Sequence, residues 1–317
     1  MTPTTAYYLI VTATLTALVL LSVACDLDWI GPPDRPPPSS EPDADWVLYD
    51  ALAYQGRPDS ADMGMVRMPV LTASAWWPHG ADRDEPHEQR IRERARVLVD
   101  RGNRKIVVNI EHWPTSVSAD PAEVEHTIDR LRQVVAWIRD EAPDMEIGIY
   151  AMVPDRNYWR PVQYERAREA LEADPEDEAL QDQYEHRRER LEQWQRHNAE
   201  TLARLAEAVD FICPSIYAFY DTPEAWRVYA EHNIREAQRY GKPVYPFIWA
   251  EYHPSNADLR GTYLDADYWR QVLTTVRMHA DGAVLWGGYR TPWPPAGEWW
   301  GVTESFIEQQ QTGSNDG

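Results

Sequence analysis

From Trp46 onward the sequence alternates short apolar runs with longer charged segments of helical period, and few folds accept that rhythm. The apolar runs fall at 46–53, 67–73, 105–111, 146–152, 210–217, 243–249 and 282–286. Between them, helical spacing predicts helices at 85–100, 121–141, 163–208, 223–240 and 265–280. Strands separated by crossover helices are parallel, because a parallel partner is reached only through a connection long enough to return to the same edge. The two solutions are an open doubly wound sheet and a closed barrel. No glycine-rich phosphate loop follows any of the runs, which favours the barrel: a TIM-like α/β fold, distorted, of seven or eight parallel strands. A barrel of roughly 250 residues accounts for almost the whole segment 46–308.

The flanks carry no such rhythm. Residues 1–24 are apolar from Tyr7 on and end in Ser22, Val23 and Ala24, directly before Cys25. This reads as an export signal. The stretch Leu21-Ser22-Val23-Ala24-Cys25 resembles the lipobox of bacterial lipoproteins, which implies lipidation of Cys25; an uncleaved N-terminal anchor is the alternative. Both put the domain outside the cytoplasm, held at the membrane. Segment 25–45, with Pro32-Pro33 and Pro36-Pro37-Pro38, reads as a stiff extended linker with nothing to bury. Residues 163–190 are almost wholly polar, with Asp174-Pro175 at their centre, and read as an inserted helical hairpin. Residues 309–317 read as a disordered tail.

Charge narrows the partners. A net charge of -21 with lysine only at Lys105 and Lys242 excludes nucleic acid, whose phosphates need clustered cations. The same charge repels polyanionic polysaccharides at long range, though a Debye length of about 8 Å confines the effect in physiological salt. A neutral glycan fits this balance better; an adaptation to salty habitats explains it equally well. With Cys25 lipidated, Cys213 is left without an intramolecular partner. No His, Asp or Glu cluster has metal-ligand spacing, and nothing calls for a cofactor.

The densest polar signal is Asn109-Ile110-Glu111-His112-Trp113 at the end of an apolar run. Residues i and i+2 of a strand face the same way, so Asn109 and Glu111 would share the mouth of the barrel, where barrel enzymes keep their chemistry. A carboxyl walled by Trp113 would be desolvated and held protonated, as a general acid requires; a plain arginine pairing is the alternative. Other strand ends bring aromatic groups: Tyr150, Tyr217 and Trp286, with Trp249 and Tyr220 nearby. The chain has 15 Trp and 17 Tyr against 4 Phe, the bias of rings that both stack on sugars and donate hydrogen bonds. Glu251 and His253 could supply a second carboxylate and its neighbour, although a surface-loop role suits them as well.

Five motifs in order resemble the hyaluronidase family of glycoside hydrolases, a distorted barrel. They are Asn109-Ile110-Glu111-His112-Trp113, Tyr150 before Pro154-Asp155, Pro214-Ser215-Ile216-Tyr217, Arg235-Glu236-Ala237 leading to Pro243-Val244-Tyr245-Pro246-Phe247, and Gly282-Ala283-Val284-Leu285-Trp286-Gly287. The resemblance implies a retaining endo-β-N-acetylhexosaminidase in which the acetamido oxygen of the substrate is the nucleophile, an exception to the two-carboxylate scheme. It implies Glu111 as acid and base, with Asn109 and Tyr217 as its catalytic partners. Tyr150, Trp286, Trp113, Tyr220 and Trp249 would bind the glycan. The family has Asp where this chain has Asn109, which keeps a hydrogen-bond acceptor for the acetamido N–H but removes the negative charge. Two readings stand beside this one: a two-carboxylate hydrolase of a neutral glycan using Glu251, and a catalytically silent glycan-binding lipoprotein.

Overall fold

A computed structural model describes residues 46–288, 291–294 and 297–313. The expected leader (1–24), the lipid-bearing Cys25 and the linker (25–45) lie outside the described residues.

The strands are β1 (Val47–Leu52), β2 (Val66–Arg67), β3 (Val70–Thr72), β4 (Lys105–Asn109), β5 (Glu146–Ile149), β6 (Phe247–Trp249) and β7 (Gly282–Gly287). All ladders are parallel, in two sheets ordered β2-β1-β7-β6 and β3-β4-β5. The expected strand 67–73 is split because Pro69 has no N–H to give. Its first half pairs with β1 and its second with β4, so the two halves fill one position in the ring. Expected strands 210–217 and 243–249 are likewise thinned by Pro214, Pro243 and Pro246. Only β6 survives as a strand there. The remaining pairing is isolated bridges, Tyr150↔Cys213, Ile212↔Val244 and Ser215↔Phe247, with single backbone bonds such as Ala151 N–H to Cys213 O at 2.9 Å. The regular ladders therefore stop short of closing, and these bridges span the gap between β5 and β6, giving seven strand positions among the described residues. This is the distorted α/β barrel expected.

Side-chain alternation along the strands separates two cores. Inside the ring are Tyr49, Met68, Val107, Tyr150, Phe211, Cys213, Tyr217, Phe247 and Val284. Gly148 belongs to this inner row because a Cβ there would lie 2.3 Å from the Phe211 ring. Near the start of β4, Lys105 reaches the Tyr49 hydroxyl at 3.1 Å and Glu146 at 3.0 Å. Its ammonium lies 4.8–5.2 Å from the ring centroids of Tyr245, Tyr49 and Phe211. Burial opposes the lysine charge, but these partners outweigh it and hold its pKa above the ordinary lysine value.

The outer core lies between strands and helices. α1 (Ala73–Trp76) is one turn; α2 (Glu88–Asp100) and α3 (Pro121–Glu141) follow β3 and β4. In α3, Asp120 caps the Ala122 and Glu123 amides, and Pro121 takes a position needing no N–H. The helix buries Val124, Ile128, Leu131, Val135 and Ile138 at helical spacing, each contributing about 1.5–3 kcal/mol. Across the polar stretch 163–190 the chain forms two helices, α4 (Trp159–Ala173) and α5 (Glu178–Arg196), packed as a hairpin. Asp174-Pro175 breaks the run, and Asp177 caps α5. A π-helical turn (His197–Thr201) and α6 (Ala203–Ala208) follow, then α7 (Pro223–Gln238) and α8 (Ala266–His279).

A further helix, α9 (Glu298–Gly313), corrects the expected tail: residues 309–313 are helical. Trp299, Trp300, Phe306 and Ile307 on this helix are buried, and the Trp269 indole donates to Thr303 at 2.9 Å. No helix among the described residues is long and apolar enough to cross a membrane.

Candidate active site

β4 ends at Asn109, half-buried and opposite Thr72 in register. Ile110 turns into the outer core and Glu111 is solvent-exposed in the turn that follows. Its carboxylate nevertheless acts electrostatically on two buried phenols. Burial is the main cause that raises the pKa of Tyr150, and the Glu111 carboxylate adds to it. Tyr217 is raised further, first by burial, then by Tyr150 and by Glu111. Both phenols stay protonated. The Tyr150 hydroxyl donates to Ser215 Oγ at 3.1 Å, and its ring centroid lies 6.1 Å from that of Tyr217.

Ala151, immediately after Tyr150, has φ 55°, a left-handed conformation that costs an alanine about 1–2 kcal/mol. Such strain persists where neighbours over-determine the backbone; here the Ala151 amide is tied to the Cys213 carbonyl.

The tryptophans divide. Trp249 and Trp286 are register partners, both half-buried against the inner core. The Trp249 ring stands edge-on to Tyr217 at 5.5 Å, and its buried indole N–H has no acceptor among the described residues. Trp113 corrects the expectation of a wall beside Glu111. It is 3% exposed in the outer core, its N–H donates to the Arg83 carbonyl at 2.9 Å, and Trp77 and Arg130 cover its ring. A ring so enclosed cannot stack on a sugar. Tyr220 sits on the rim, 38% exposed, against Tyr158 and Trp159 at 5.1 Å each.

Arg156, which sequence reasoning passed over, and His253, considered there only beside Glu251, also reach the site. The His253 ring stacks on Tyr217 at 6.2 Å and meets Phe219 at 4.7 Å. Burial and then Arg156 push its pKa down to about 4, so it is neutral at physiological pH. Arg156 lies over Phe219 at 5.1 Å and acts electrostatically on Tyr150, Tyr217 and His253. The available signal was position: Arg156 and His253 lie in loops after β5 and β6, at the strand ends where barrels keep chemistry. Glu251 is held elsewhere, accepting from the Tyr54 hydroxyl at 2.7 Å. Among the described residues no group of three His, Cys, Asp or Glu side chains could hold a metal ion.

Behind the site, Asp155 anchors the loop after β5. It is 5% exposed, its carboxylate accepts from the Val117 amide, and its own amide donates to Asn198. Burial pushes its pKa up to about 6, against the lowering pull of the Val117 amide, His197 and nearby arginines. An unfolded aspartate ionises near pH 4. Between about pH 4 and 6 the folded chain therefore keeps a proton that the unfolded chain has released. The stabilising contribution is fullest below about pH 4 and is lost as pH rises through about 6. Asp155→Asn should remove on the order of 2–3 kcal/mol of this decline, measured by urea unfolding at pH 4 and pH 7. An unaltered difference between the two pH values contradicts the assignment.

No family model matches the chain, and no curated protein matches it either. Solved structures do. Bee venom hyaluronidase aligns with TM-score 0.51 at 15% identity, over 86% of this chain and 97% of that one. A second bee venom hyaluronidase structure, in complex with a hyaluronic acid tetramer, gives 0.49 at 14% identity over 86% and 96%. Fungal β-1,4-galactanases give 0.44 at 11% over 84% and 88%. The first likeness is one of fold, and it shows that this chain is an α/β barrel with the architecture seen in bee venom hyaluronidase.

Proposed function

We propose that the protein is a glycoside hydrolase cutting a polymer that contains β-linked N-acetylhexosamine. Glu111 acts as acid and base, and Asn109 and Tyr217 orient the acetamido group. The observation that carries this reading is the place of Glu111, exposed in the turn that ends β4, where its carboxylate acts electrostatically on the buried, protonated phenols of Tyr150 and Tyr217. The fold shared with bee venom hyaluronidase supports the broader class.

In the first step the acetamido oxygen attacks the anomeric carbon, the glycosidic bond breaks, and Glu111 gives its proton to the departing oxygen. In the second, Glu111 takes a proton from water as that water opens the cyclic intermediate. Asn109 accepts a hydrogen bond from the acetamido N–H, and the Tyr217 hydroxyl holds the acetamido group in place for attack. Trp286 and Trp249 flank the sugar, with the unmatched Trp249 N–H available to it. The two-carboxylate alternative is disfavoured by Glu251, whose carboxylate is occupied by Tyr54.

Incubation of the protein with hyaluronan, chondroitin, chitin oligomers and N-glycans is expected to release new reducing ends from at least one of them. Binding without product from any would favour a silent glycan-binding module. We also propose export and attachment to the membrane through lipid on Cys25, the cysteine of a lipobox-like segment. The full chain should label with a fatty-acid analogue and Cys25→Ser should not; equal labelling sinks the anchor.

A further inference from the structure

Arg168 and Arg188 of the helical hairpin are paired with acids, whereas among the described residues Arg160, Arg187 and Arg190 are not. Arg168 bonds Glu165 and Glu172, three residues before and four after it, and Arg188 bonds Glu185 and Glu192 at the same spacings. Arg187 and Arg190 have no acid three or four residues away in either direction, and Arg160 has none at those spacings within α4. Their bonds go to neutral groups: Arg187 donates to the Gln163 amide oxygen at 2.9 Å and Arg160 to the Arg190 carbonyl at 2.8 Å. Among the described residues none of the three forms an ion pair.

All three line one groove of about 440 Å³. Its other walls include Ser118, Asn157 and Trp159. Ser118 belongs to the loop after β4 that carries Glu111, Asn157 to the loop after β5 that begins at Tyr150, and Trp159 to the first turn of α4 that follows that loop. The groove thus lies on the same end of the barrel as the candidate site. Trp159, 44% exposed, stands at its edge with its ring against Tyr220.

We propose that this groove is an anion-binding subsite, in which Arg160, Arg187 and Arg190 hold a carboxylate or sulfate of a polysaccharide strand while Trp159 stacks on a neighbouring sugar ring. It rests on the glycan reading above and names the substrate class: acidic rather than neutral. The planar guanidinium fork matches such oxyanions with two parallel hydrogen bonds. Desolvation and the charge of Arg190 already lower the pKa of Arg160, a crowding of like charges that an arriving anion relieves. The carboxyl that acts on Arg160 is that of Asp155, whose oxygen is engaged by the Val117 amide. The net charge of -21 does not argue against this, because beyond a Debye length of about 8 Å it is screened, and at contact the local arginines decide.

The test uses the full chain carrying Glu111→Gln, so that oligosaccharides survive. Calorimetry measures its affinity for hyaluronan, chondroitin sulfate and chitin oligomers of equal length, with and without Arg187→Gln plus Arg190→Gln. The arginine substitutions should weaken one or both acidic oligomers at least tenfold and steepen no other loss, leaving the chitin oligomer unaltered; the preferred acidic oligomer tells carboxylate from sulfate. Equal weakening of acidic and neutral oligomers, an unchanged affinity for the acidic ones, or no binding of them at all overturns the subsite. Failure of the hydrolase reading is seen separately, as absence of reducing ends from every glycan with Glu111 intact.

Discussion

Glu111→Gln should lower release of reducing ends by roughly 10²–10⁴-fold, the usual contribution of a positioned general acid or base, while leaving the urea midpoint unchanged. The separation of the two effects follows from the site. Glu111 is exposed and, among the described residues, has neither a hydrogen bond nor an ion pair, so its charge does no structural work. Removing that charge takes away the proton donor but leaves the Tyr150–Tyr217 pair packed as before. Loss of activity with an equal loss of stability would mean that Glu111 is structural.

Trp194→Ala should have the largest effect on stability, about 3–5 kcal/mol, read as a lowered urea midpoint. Trp194 is 0% exposed and its indole N–H donates to the Asp155 carbonyl at 2.7 Å. The substitution leaves both a cavity and an unpaired buried carbonyl. It also frees the hairpin from the loop that follows Tyr150, so activity should fall alongside stability. A change below about 1 kcal/mol would show that the hairpin is not an integral part of the barrel wall.

The barrel was legible in the sequence because its strands are short, apolar and separated by helices whose caps are written locally, as Asp120, Asp177 and Asp265 are. Strand continuity was not, since Pro69, Pro214 and Pro246 leave the apolar pattern intact while removing ladder donors. Helix α9 was missed because its buried Trp299 and Phe306 lie in a stretch dominated by polar residues. The period of a strand predicts a shared side for Asn109 and Glu111, but β4 ends at Asn109. That same rule gives no direction beyond the last paired residue, and Trp113 accordingly belongs to the outer core. Arg156 and His253 carry no local motif; they approach Tyr217 only through the folding of two separate loops.

The most direct test is a crystal structure of the Glu111→Gln protein with an N-acetylhexosamine-containing oligosaccharide. The account predicts an acetamido group within hydrogen-bond reach of Asn109 and Tyr217, and a glycosidic oxygen within reach of residue 111. An oligosaccharide bound at that barrel end with its glycosidic oxygen remote from residue 111, or its acetamido group turned away from Asn109, would contradict it.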